Sequence, residues 1–92
     1  MKRSFQGQML VQVRYRFTAE TAQTARLNRP FWESFEEKPD GSVVVTASAP
    51  DLNWAASSVL AYGPGVEVLD PPELRQIVRD RAQAIVMSNQ NS

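Results

Sequence analysis

Neither cysteine nor histidine occurs in the 92-residue chain. The first absence removes disulfide frameworks, thiolate zinc sites and cysteine nucleophiles, and it leaves the redox compartment open. The second removes the usual general base and the commonest transition-metal ligand, so any chemistry falls to carboxylates, hydroxyls, lysine and arginine. The expectation is a protein that is not an enzyme and has no cofactor and no metal. Net charge is missing too: ten basic residues balance ten acidic ones, and the global field steers the chain toward neither nucleic acid nor an anionic membrane. No apolar run approaches the roughly 20 residues of a membrane helix, and Met1, Lys2 and Arg3 lead into polar residues instead of a signal-peptide core. These features point to a cytoplasmic protein with no membrane partner. Internal repeats and low-complexity tracts are also absent.

What is present suits one small domain with a single core, since 42% of the residues are apolar. The polar ends set the expected boundaries: a linker over 1–8, the domain over 9–88 and a disordered tail over 89–92. A domain this small buries a modest share of its surface and is expected to lean on a partner.

Over 9–17 the chain alternates, with Met9, Val11, Val13, Tyr15 and Phe17 on one side and Leu10, Gln12, Arg14 and Arg16 on the other, the period of a half-buried strand. Thr18 offers a helix N-cap, and Ala19, Ala22, Ala25 and Arg26 follow at helical spacing until Pro30 ends the helix near Asn28. A second, aromatic strand is expected over 31–37. It runs into the turn Lys38, Pro39, Asp40 and Gly41, where proline presets φ and glycine takes the positive φ of the exit. The β-branched run Val43, Val44 and Val45 predicts the return strand over 42–48. Asp51 caps a helix with Leu52, Ala55, Ala56, Val59 and Leu60 on one stripe, and Gly63 stops it in the left-handed position. A short strand over 66–69 follows. Asp70, Pro71, Pro72 and Glu73 then mark a last helix, with Asp70 and Glu73 as reciprocal caps and Leu74, Ile77, Val78, Ala82 and Ile85 inward.

The order β-α-β-β-α-β plus a helix predicts an α+β fold: a ferredoxin-like four-stranded antiparallel sheet with two helices on one face and an additional C-terminal helix. The first and third strands are then central. The uncovered face displays Leu10, Gln12, Arg14 and Arg16.

Four pieces of the chain carry a family resemblance: the strand over 10–17; Asp40 and Gly41; the helix over 52–60 ending in Tyr62 and Gly63; and the run Gly65, Val66, Glu67, Val68, Leu69, Asp70, Pro71, Pro72, Glu73, Leu74, Arg75. Together they resemble the WCX domain, the C-terminal extension that follows many WYL domains in bacterial transcription regulators. The resemblance implies a non-catalytic regulatory and dimerisation domain that helps to sense an effector, single-stranded nucleic acid being one candidate, and couples it to DNA binding. The implied partners are a second copy in a homodimer and the WYL and helix-turn-helix domains of the same protein. Those parts do not occur in this chain, and their activities are not carried over to it. The end of the last helix departs from the family, which commonly finishes on an aromatic residue where this chain has Met87 and Ser88.

Arg14 and Arg16, with Gln12 beside them, are the candidate effector or nucleic-acid contacts, because guanidinium groups bind phosphates bidentately. Arg26 and Arg29, placed to complement the dipole of the first helix, are carried as outlying members of that surface. Trp54, off the apolar stripe of its helix, and Trp32, in an aromatic run that otherwise fills a core, are the candidate interface residues. Glu33, Glu36 and Glu37 read as edge-strand protection, not as catalytic carboxylates. Two other classes share the predicted topology. An ACT-like small-molecule-sensing module is the alternative; an acylphosphatase would need a Gly-rich, arginine-bearing cradle where this chain has Thr18, Ala19 and Glu20.

Overall fold

Strand β1 (Val11–Phe17) obeys its alternation: Val13, Tyr15 and Phe17 are buried, Gln12 and Arg14 exposed and Arg16 partly exposed. The computed structural model describes residues 10–90. The expectations for the linker over 1–8, for Met9 and for the last two tail residues lie outside the described residues. After β1 come α1 (Ala22–Leu27), β2 (Ser34–Glu37), β3 (Val43–Ala49), α2 (Leu52–Tyr62), β4 (Val66–Asp70) and α3 (Pro72–Ser88). The strands form one antiparallel sheet in the order β2-β3-β1-β4. Hence β1 and β2 are parallel with β3 between them, and β3 and β4 are parallel with β1 between them. Each pair is bridged by a helix, the split βαβ arrangement, and β1 and β3 are the inner strands as expected.

The register explains the core. Phe17 lies opposite Val43, Tyr15 opposite Val45 and Val13 opposite Ala47. Over this inner face α1 lays Ala22 and Ala25, and α2 lays Ala55, Ala56 and Val59. Alanine faces permit close approach but bury little area, so aromatic rings fill the space between the helices. Phe17 meets Trp32 and Tyr62 at centroid distances of 5.8 and 5.5 Å, and Tyr15 meets Trp32 edge-on at 6.3 Å. The Trp32 Nε1 donates to the Ala25 carbonyl at 2.8 Å, tying this ring to the end of α1.

Several local expectations are corrected. The first helix begins at Ala22, because a 3-10 turn over Ala19–Thr21 precedes it and the Thr18 hydroxyl faces that of Thr21 at 3.0 Å instead of capping. The strand expected over 31–37 starts only at Ser34, since Pro30 sits in a 3-10 turn over Arg29–Phe31 that leaves Phe31 exposed. Asp51 does cap α2, accepting the Trp54 amide at 2.7 Å, and Gly63 ends it with positive φ but an extended ψ, outside the left-handed helical region. Asp70 is not a cap: it closes β4, and Pro71 takes the N-cap position with no side-chain bond. Ile85 is 52% exposed, not inward, because the 17-residue α3 outruns the 11-residue α2 against which it packs. Leu74, in its first turn, is fully buried.

Gly65 locks the sheet to the first turn. Its carbonyl accepts the Thr18 amide and the Thr21 hydroxyl, each at 3.0 Å, and its φ is 93°. A Cβ there would lie 2.5 Å from the Thr21 Cγ2. Gly65→Ala should therefore lower the urea-unfolding free energy by about 1–3 kcal/mol. A Thr21→Ser background, which deletes the clashing methyl and keeps the hydroxyl, should restore part of it; the same loss in both backgrounds would mean that the clash is not the cause.

Candidate functional site

The outer face of the sheet holds the sequence-predicted residues together. Arg14, Arg16 and Gln12 project from β1 away from the helices, with Thr46, Val44 and Ser48 opposite them on β3. All three are engaged. Arg16 reaches Asp40 and Glu67, both at 3.4 Å; Arg14 lies 3.9 Å from Asp70; Gln12 donates to Glu33 at 2.9 Å. The Ser48 hydroxyl donates to the same Glu33 carboxylate. Asp70 owes its place to an irregularity between β1 and β4: Leu69 is skipped in the register, so Arg14 faces Asp70 while Tyr15 faces Val68. Asp40 is held in its turn by the hydroxyl and amide of Ser42, which, ahead of Arg16, keep its carboxyl below its ordinary pKa. Three carboxylates thus surround two guanidinium groups, and all the partners keep more than 40% of their side-chain surface exposed. Pairs of this kind are long, screened and weak, and they exchange readily with an incoming group.

Arg26 and Arg29 do not join this surface. Arg26 pairs with Glu37 at 3.6 Å, and the Arg29 guanidinium covers the Phe35 ring at 4.3 Å. Phe35 and Glu37 share the register of Val45 and Val43, so the sheet separates this pair of arginines from Arg14 and Arg16. Trp32 is half-buried in the aromatic cluster, whereas Trp54 stays 55% exposed. At the free edges, Glu36 pairs with Lys38 on the β2 side, and Arg75 donates to the Val68 and Leu69 carbonyls on the β4 side, occupying backbone acceptors of an edge strand.

A second site was not foreseen. On the helix side, a groove of about 300 Å³ opens between Trp54 of α2 and Phe31 beyond α1. Its floor is Val13, Tyr15, Ala47 and Ala49, and its inner wall is Trp32 and Tyr62. The groove exists because β3 changes from valine at positions 43 and 45 to alanine at 47 and 49 on its inner face, leaving volume that the short α1 does not fill. Among the described lining residues none is charged, and Asn28 and Ser58 supply the remaining side-chain polarity, the Ser48 hydroxyl being turned to Glu33 on the open face. Among the described residues, no cluster of acidic side chains could hold a metal, and no helix is long and apolar enough to cross a membrane.

The model of the WCX domain matches residues 9–86. The chain belongs to the WCX domain family. This places it among WYL-associated regulatory domains; comparison with curated proteins returns no match. In this WCX domain the run 65–75 is structural from end to end: Gly65 ties β4 to the first turn, Val68 and Leu74 are buried, Asp70 faces Arg14, and Arg75 covers the β4 edge. The motif that carries the resemblance therefore specifies the fold and also supplies Glu67 and Asp70 to the charged face, while the groove is lined by residues outside it.

Two groove residues have displaced acidities. Burial, and then the neighbouring Tyr62, push the Tyr15 hydroxyl up to about 12, and burial raises Tyr62 as well. A phenol whose folded-state pKa exceeds its unfolded value near 10 contributes stability that is complete below pH 10 and lost as pH climbs through the folded value. Thermal melts of the WCX domain should accordingly fall between about pH 10 and pH 12. The Tyr15→Phe variant should show a shallower decline; an identical alkaline slope in both proteins would refute the assignment.

Proposed function

We propose that this WCX domain is a non-catalytic regulatory and dimerisation module of a WYL-type helix-turn-helix transcription regulator, and that it passes an effector signal through its open sheet face. The observation that carries this reading is the set of exposed, exchangeable ion pairs around Arg14 and Arg16. Such pairs cost little to break, and a partner presenting its own carboxylates or phosphates can replace Asp40, Glu67 or Asp70. Dimerisation is supported by the end of α3, where Ile85, Val86 and Met87 are 52, 60 and 63% exposed, an apolar surface suited to a second copy.

A nucleic-acid effector would have to displace three carboxylates, so the expected affinity of the isolated domain for a single-stranded oligonucleotide is weak. Its salt dependence should correspond to about one or two phosphate contacts. Arg14→Ala/Arg16→Ala should abolish that dependence, and in the full-length regulator it should remove the effector response while operator binding persists. An unchanged response would separate this face from signalling. Val86→Lys/Met87→Lys should shift the regulator toward monomer in sedimentation velocity, and an unaltered dimer would place the interface elsewhere.

One observation favours the small-molecule-sensing alternative, a module of the ACT kind: the groove under Trp54 has the volume and the lining of a ligand pocket.

A further inference from the structure

Tyr15 is 2% exposed, yet no described residue gives its hydroxyl a hydrogen bond, and no hydrogen bond is among the causes of its raised pKa. Among the described residues no fully buried polar side-chain atom lacks a partner. The Tyr15 oxygen therefore opens onto the groove that its ring helps to floor. A buried phenol with its polar end turned into an apolar cavity is a hydrogen-bond donor waiting for an acceptor. Around it the cavity is aromatic on both sides, with Trp32 and Tyr62 within and Trp54 and Phe31 at the rim. Those two rim side chains are 55% and 72% exposed, a large apolar area for a neutral rim.

We infer that this groove binds a small, uncharged, planar aromatic molecule whose carbonyl or equivalent acceptor takes the hydrogen bond of the Tyr15 hydroxyl. Neutrality follows from the lining: an anion or cation would be desolvated among the described lining residues, which include no charge. Size follows from the volume, because a cavity of roughly 150 Å³ holds one benzene ring and this one, at about 300 Å³, admits one or two rings. Planarity follows from the lining, in which four aromatic rings, Trp32, Tyr62, Trp54 and Phe31, offer faces and edges to a flat ring. The site uses neither Arg14 nor Arg16 and lies on the other side of the sheet, so it stands or falls independently of signalling through the open face.

The test is an amide NMR titration of the whole chain with benzamide, beside cyclohexanecarboxamide and benzoate. Binding as inferred gives saturable benzamide shifts centred on residues 47–49, 54 and 58, weaker shifts with the saturated-ring amide and none that saturate with benzoate. Tyr15→Phe, which removes only a hydroxyl that has no partner among the described residues, should weaken benzamide about fivefold, the worth of one hydrogen bond. Trp54→Ala, at an exposed position, should weaken it by about as much through lost stacking. The inference is overturned if benzamide gives no saturable shift, if cyclohexanecarboxamide binds equally well, or if both variants bind benzamide as the parent does. It is likewise overturned if the groove resonances move with protein concentration alone, which would mean that a second copy fills the cavity.

Discussion

Strand β1 lies between β3 and β4, hydrogen-bonded on both edges, so each of its side chains is committed to one face of the sheet. Tyr15 and Phe17 are driven inward by the area they bury, and that commitment turns Arg14 and Arg16 outward with no freedom to choose. A slip of one residue would bury two guanidinium groups under the helices, a state far too costly to compete. The division of the domain into a charged face and an aromatic groove is therefore one consequence of a single register. The charged face and the groove sit on opposite sides of the sheet.

The two sides differ in what holds them. On the open face, the arginines of β1 meet carboxylates from β4 and the turn before β3, and Val44 of β3, only 6% exposed, lies between its register partners Arg16 and Glu36. On the helix side, alanines bring α1 and α2 close to the sheet, and the aromatic cluster of Phe17, Trp32 and Tyr62 supplies the contact area that alanine lacks. Where β3 itself turns to alanine, no ring reaches far enough to fill the space. The groove is the place where close packing by small residues ends.

Much of the fold was legible because its signals are local. The alternation of β1, the Pro39, Asp40 and Gly41 turn, the Asp51 cap and the stop at Gly63 each depend on a few neighbouring residues, and the structure realises them. Two misreadings share a cause, a side chain with a good local role claimed by a distant one, and a third comes from the length of a helix. Thr18 was available as a cap but lies in the knot with Thr21 and Gly65; Asp70 was available as a cap but faces Arg14 across the sheet; Ile85 lay on the apolar stripe of α3, beyond the reach of α2. The candidate site divided in the same way. Gln12, Arg14 and Arg16 share a face because a strand repeats every two residues, whereas Arg26 and Arg29 were grouped with them by charge alone and are parted from them by the sheet.

Taken alone, the sequence determined the class of the domain, the two faces of its first strand and the poverty of reactive side chains, all of which follow from residue type and short-range period. Tertiary structure alone decided which carboxylates neutralise Arg14 and Arg16, and that Tyr15 ends in an open groove with its hydroxyl unpartnered by any described residue. Those outcomes join residues from β1, β3, β4, α2 and the turn after α1. Their distances are set by sheet register and helix packing, which no stretch of neighbouring residues encodes.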